Sequence, residues 1–207
     1  FSMETQPQLI QLQKTMLIAE GQLEANAPVA KYLPEFSQSA FGDATIQQVL
    51  DMTTALKFSE DFSDPKADIW AHAQAGNAAP KPKDFSGPRS YFEFLKTIKK
   101  QGQHGQAFAY KTANTDALGQ VIHRVTGQSV AQLLSSRIWS KIGAEQDSYF
   151  QIDSTGAPFA GGGLNTGLRD LARFGELIRN DGELNGQQII AKAVVQEIKR
   201  GGDSKLF

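Results

Sequence analysis

At 207 residues, with 40% hydrophobic and 21% charged side chains, the chain is long enough to bury a core as one domain or one and a half, and too apolar for a disordered tail. Its 21 Lys and Arg against 22 Asp and Glu leave a net charge of −1, which offers no basic footprint for nucleic acid or an anionic membrane. Cysteine is absent, which excludes disulfides, thiolate metal sites and a cysteine nucleophile and leaves the redox compartment open.

In chain order, Leu9, Leu12, Met16, Leu17 and Leu23 fall mostly at helical spacing and predict an amphipathic helix that stops near Gly21. Pro28 and Pro34 bracket an extended or short helical connector, Val29 to Leu33. Thr45 is the predicted N-cap of a helix through Ile46, Val49, Leu50 and Met52. Residues 59–88 carry Pro65, Pro80, Pro82 and Pro88, which predicts a long irregular excursion around one short helix near Ile69 and Trp70. With the stretch up to residue 107 it reads as a lid-like segment.

Helical spacing returns from Tyr91 to Lys100 and from Asn114 to Val125, where Leu118, Val121, Ile122 and Val125 share a face and Gly127 ends the helix. Val130 to Ile142 repeats the pattern up to Gly143. Ser148 to Ile152 is β-like, and the glycines Gly161, Gly162 and Gly163 precede a helix with Thr166 as expected cap and Asp170 near its positive end. A last helix begins near Ala191. No repeat or low-complexity tract interrupts this mainly α pattern. So many helices with so few strands would expose apolar faces unless a sheet covered them, so a sheet is expected outside this sequence.

No run approaches the roughly 18 apolar residues of a membrane helix, so no membrane-spanning segment is expected. The three histidines, His72, His104 and His123, are too scattered to pair on one helix face, and neither a metal nor a cofactor is expected. The chain opens on Phe1 without an initiator Met and closes on Ser204, Lys205, Leu206 and Phe207, which reads as an incomplete piece.

Tyr110 stands at the entrance to a helix, in Phe108-Ala-Tyr110-Lys-Thr112-Ala-Asn114-Thr-Asp116, where a loop can aim its hydroxyl into a cleft. A phenol with an ordinary pKa of about 10 acts as a base only beside a cation, which Lys111 or a distant Lys can supply. The residues alone leave open the alternative that Tyr110 packs its ring and bonds its hydroxyl to backbone.

This stretch resembles the serine hydrolases related to class C β-lactamases, penicillin-binding proteins and their esterase cousins, in which a Tyr-x-Asn motif opens such a helix. The resemblance continues through Asn114-Thr-Asp116-Ala-Leu-Gly-Gln-Val-Ile-His-Arg-Val-Thr-Gly127, Ile138-Trp-Ser-Lys-Ile-Gly143 and Ala160-Gly-Gly-Gly-Leu-Asn-Thr-Gly-Leu-Arg-Asp-Leu-Ala-Arg-Phe-Gly175. With Tyr32-Leu-Pro34, the residues from Gly42 to Thr53 and Ser59-Glu-Asp-Phe62, it spans nearly the whole chain and is closest to the nylon-oligomer (aminohexanoate-dimer) hydrolases. It implies the helical region of a β-lactamase/transpeptidase-like α/β fold, present as one partial domain over residues 1–207 with most of the sheet missing.

The resemblance also implies a Ser-x-x-Lys nucleophile, with Tyr110 handling protons, acting on a small-molecule ester or amide through an acyl-enzyme. Ser2 in Phe1-Ser2-Met3 resembles the nucleophile, but Thr5 stands where the Lys is expected, and Lys14, about three turns further on, is too far to serve Ser2. Ser63-Asp-Pro-Lys66 is a chance match across a proline. Thr112 takes the third motif position, where family members often carry Asn or Ser, and it can still donate a hydrogen bond. Phe62 stands where the resemblance implies a Tyr that assists the leaving amine in amide-cleaving relatives, which favours ester chemistry. A catalytically empty helical domain is the competing expectation. The glycine run lacks the Lys and Ser or Thr of a phosphate loop and is expected to form a tight wall. His123 is expected at the surface or in packing, and Trp70 and Trp139 in the core or a cleft wall.

Overall fold

The computed structural model describes residues 5–201 and Leu206, with side chains described from Gln8 onward. Its helices are α1 (Thr5–Ala19), α2 (Val29–Tyr32), α3 (Ile46–Leu50), α4 (Asp68–Ala75), α5 (Tyr91–Thr97), α6 (Thr112–Thr126), α7 (Val130–Arg137), α8 (Leu168–Arg179) and α9 (Lys192–Arg200). The strands β1 (Leu56–Lys57), β2 (Lys99–Lys100), β3 (Tyr149–Phe150), β4 (Leu164–Asn165), β5 (Glu183–Leu184) and β6 (Gln187–Gln188) form three separate antiparallel pairs in chain order. The described residues are therefore mainly α, as the periodicity predicts. No described helix is long and apolar enough to cross a membrane.

Helix α6 is the hub on which α1, α2, α3, α5 and α7 pack. Its Ala113, Ala117, Leu118, Val121 and Ile122 are fully buried, and so are the polar Asn114, Thr115 and Asp116. Buried polar groups at the start of a helix call for partners, and that requirement shapes the site below.

Helix α1 separates two apolar clusters. Ile10 and Leu17 join Val29, Phe36, Phe41 and Leu118 in one, while Leu9, Leu12 and Met16 join Leu134, Ile138, Phe174 and Val194 in the other. Enclosed from both flanks, α1 is not the one-sided amphipathic helix that its apolar spacing predicts. It buries Gln13 and Lys14 along with its leucines. The Gln13 amide donates to the Val130 carbonyl at 3.1 Å. Burial lowers the Lys14 pKa to about 8, against the pull of Asp51 and Glu197.

Local chemistry sets several boundaries. Thr45 caps α3 as expected: its hydroxyl accepts from the Gln48 amide, and the Gln48 side chain accepts from the Thr45 amide. Replacing Thr45 with Ala is expected to destabilise the fold by about 1 kcal/mol, read as a lower urea midpoint at unchanged slope. Helix α6 ends at Gly127, whose φ is +69°.

Four sequence readings are corrected. The helix expected to reach Lys100 ends at Thr97, because Lys99 and Lys100 pair with Lys57 and Leu56. The helix expected to reach Ile142 stops at Arg137 and continues as a 3-10 turn, Trp139–Lys141. Gly167, not Thr166, is the N-cap of α8, because the Thr166 hydroxyl is drawn to Ser148 at 2.8 Å. Of the β-like stretch from Ser148 to Ile152, only Tyr149 and Phe150 form a strand.

Candidate active site

Tyr110 lies half-exposed at the end of a loop, 42% accessible, one residue before the N-cap of α6, Lys111. That loop is fastened along residues 52–57. Gln101 donates to the Ala55 carbonyl at 2.8 Å, Gly105 to Thr53 at 2.7 Å and Ala109 to Met52 at 2.8 Å. The Lys111 ammonium closes the row on the Leu56 carbonyl.

His104 adds a side-chain clasp to this row. Its Nδ1 accepts from the Ala55 amide at 2.9 Å, so Nε2 carries the proton and donates to Asp43 at 3.2 Å. Lys100 also reaches Asp43. Burial holds the His104 pKa below its usual value, and the Lys100 charge adds to that shift.

The first turn of α6 presents two hydrogen-bonded groups, the Thr112 amide and the Asn114 side chain. The Thr112 amide, one of the helix-end donors with no intrahelical acceptor, donates to the Glu60 carboxylate. Burial raises the Glu60 pKa, with the Thr112 hydrogen bonds opposing it. Burial also lowers the Lys111 pKa, and the neighbouring Glu60 charge counters that shift. Two residues on, the Thr54 hydroxyl donates to Asn114 Oδ1 at 2.7 Å, and the Asn114 amide faces Met52 Sδ at 3.3 Å.

Asp116 ties the remaining wall to the same helix. Its two oxygens accept from His72 Nε2 at 2.7 Å and from the Gly161 amide at 3.0 Å. His72 is itself enclosed by the rings of Phe58, Tyr91, Phe94 and Phe159. Gly161 is a glycine for a steric reason, since a Cβ there would sit 2.4 Å from the Thr112 methyl carbon. The glycine run is therefore tightly packed, Gly161 against α6 and Gly162 and Gly163 against Phe159.

Of the expected site residues, Tyr110 and Thr112 share the entrance to α6, and Thr112 is bonded to Glu60, two residues before Phe62. Phe62 is exposed and stacks edge-on against Trp70, with centroids 5.8 Å apart. Ser2 lies outside the described residues. Trp139 is buried, Trp70 half-exposed, and His123 lies exposed on α6. Among the described residues no group of three or more His, Cys, Asp or Glu side chains could hold a metal ion.

Glu60, Asn114 and the His72–Asp116 pair escaped the sequence reading as site residues. The available signal was two polar side chains, Asn114 and Asp116, among the small residues that open α6 ahead of its apolar Leu118, Val121 and Ile122, where a buried group demands a partner.

A helical hub carrying a tyrosine at its entrance and a glycine wall beside it is the helical half of a β-lactamase-type fold. The chain belongs to the β-lactamase family, whose model matches residues 15–204. It is 34% identical over 186 residues to the 6-aminohexanoate-dimer hydrolase of Paenarthrobacter ureafaciens, covering 90% of this chain and 47% of that protein. A Bacillus anthracis structure provisionally named a 6-aminohexanoate-dimer hydrolase superposes with a TM-score of 0.85 at 31% identity, over 96% of this chain and 53% of that one. A penicillin-binding protein homolog from Caulobacter crescentus shares the fold at 18% identity, with a TM-score of 0.67 over 93% of this chain and 58% of its own. The chain thus spans about half the length of these relatives.

Proposed function

We propose that the chain carries the proton-handling half of a serine hydrolase acting on small esters or amides through an acyl-enzyme. The observation that carries this reading is Tyr110 itself: a half-exposed phenol on a fastened loop at the entrance to α6. In such a reaction a serine oxygen attacks the substrate carbonyl, its proton passes to a base, and the leaving group takes a proton as the acyl-enzyme forms. Water then attacks the ester of the acyl-enzyme, releasing the acid and returning the proton to the serine. Tyr110 is the residue to exchange these protons with nucleophile and leaving group, and Ser2 is the nucleophile. Thr112 assists by hydrogen bonding at the mouth of the site, and residues 59–107 serve as its lid.

Ester substrates are favoured over amides. An alkoxide leaves with less help from a proton donor than an amine does, and Phe62 has no hydroxyl to offer one. Lys111 is already engaged by the Leu56 carbonyl, so any support it lends a Tyr110 phenolate competes with that bond.

A second reading, a catalytically empty domain, rests on Thr5 standing three residues after Ser2 where a lysine would accept the serine proton. A fluorophosphonate probe separates the two. Stoichiometric labelling at Ser2, with turnover of a nitrophenyl ester, is the result expected of the hydrolase. A folded chain that neither labels nor turns over the ester overturns activity in this sequence. Where turnover is present, Tyr110→Phe is expected to lower it about a hundredfold with an unchanged melting curve.

A further inference from the structure

We propose that the open pocket bordered by α5, the second half of α6, the start of α7 and residues 155–158 is a second binding site, for a small anion with an aliphatic body. The pocket has a volume of about 650 Å³, within the few-hundred to thousand Å³ range of small-molecule sites. Its lining residues Gly119 and His123 lie 7 and 11 positions beyond Thr112. At the rise of a helix that is roughly 10 and 16 Å along α6 from the Tyr110 end.

The lining divides into an apolar part and a basic part. Leu33, Phe92 and Val130 supply the first. Lys96 and His123 supply the second; among the described residues neither makes an ion pair within 4.0 Å, and the Glu35 carboxylate acts on Lys96 only at longer range. The Lys96 ammonium lies over the Phe92 ring, 5.3 Å from its centroid, where apolar and cationic surface meet. The other charged groups at the wall are hydrogen-bonded, and of them Arg124 is ion-paired. Arg124 is held by Glu35 at 2.8 Å and donates to the Tyr32 carbonyl at 3.2 Å. Glu93, the acidic side chain of the lining, accepts from the Arg89 amide at 2.7 Å.

A carboxylate between Lys96 and His123 would meet a counter-charge at the first and a ring N–H donor at the second, and a chain of several methylenes would cover Phe92 and Val130. An alcohol of the same length would recover only the apolar contribution. A primary amine would meet the Lys96 ammonium.

The test titrates the isotopically labelled chain with octanoate, 1-octanol and octylammonium, following amide shifts by NMR. Saturable shifts with octanoate at residues 119–124 and 155–158, at least tenfold tighter than with octanol, are expected, with octylammonium the weakest. Lys96→Met and His123→Leu are each expected to weaken octanoate about tenfold, with far-UV circular dichroism unchanged, since both side chains are exposed. Equal affinity for octanoate and octanol, shifts centred on Tyr110 instead, or no effect of either substitution would overturn the proposal. The readout involves no hydrolysis, so it stands or fails apart from the activity proposed for Tyr110.

Discussion

Asp116→Ala is expected to be among the most damaging single substitutions in the chain, lowering stability at neutral pH by about 3 to 5 kcal/mol. The carboxylate is 1% exposed, and its loss leaves two buried donors without acceptors, His72 Nε2 and the Gly161 amide. Water cannot replace it easily, because His72 is walled by four aromatic rings. Asp116→Asn keeps a carbonyl oxygen for Gly161, and the other histidine tautomer can accept from its amide, so about 1 to 2 kcal/mol is expected there. Urea denaturation of the two variants measures the difference. A loss under 1 kcal/mol for Asp116→Ala would mean that this pair does not hold the glycine wall to α6.

The second large effect has the opposite sign. Lys14 is buried among the leucines of α1, and its pKa falls from 10.5 to about 8. Below pH 8 the amine is protonated in both folded and unfolded chains, and the folded state bears the desolvation cost. Between about pH 8 and 10.5 the folded chain has released the proton while the unfolded chain still holds it, so stability rises with pH across that window. A shift of this size is worth about 3 kcal/mol. Lys14→Met, which keeps the length and removes the charge, is expected to stabilise the chain by about that amount at pH 7. The advantage should vanish as pH approaches 10.5. A stability difference that stays constant from pH 7 to 10.5 would show that the ammonium carries no desolvation cost.

These two residues illustrate what the sequence discloses. Local features are legible: the Thr45 and Gln48 box and the Gly127 stop are written within a turn of where they act. The expected glycine wall is also legible, although the Thr112 methyl that requires it is 49 positions away from Gly161. Asn185-Gly186 carried a strong hairpin signal that the helical reading passed over. Both residues have positive φ, +51° and +75°, and they join β5 to β6.

Distant pairings are not legible. Lys99 and Lys100 continue a helical rhythm until Leu56, 44 positions earlier, claims Lys100 for a strand. His72 and Asp116 are 44 positions apart, and Glu60 and Thr112 are 52. Burial of Lys14 is invisible for a related reason. Spacing marks where the apolar side chains of α1 lie, but only the second cluster, with Leu134, Ile138, Trp139, Phe174, Leu177 and Val194 in it, shows that its other flank is covered too.

The row of bonds fastening residues 101–111 along 52–57 also bears on chain length. Gln101, Gly105 and Ala109 meet successive partners at Ala55, Thr53 and Met52, so a residue inserted or deleted between them would break the register on one side and turn Tyr110 away. Residues 77–88 hold mostly short-range backbone bonds, such as Ala78 to Ala73 and Phe85 to Pro82. Length variation, grafted peptides and affinity tags belong in that second stretch, which can grow without changing the lateral alignment of the first.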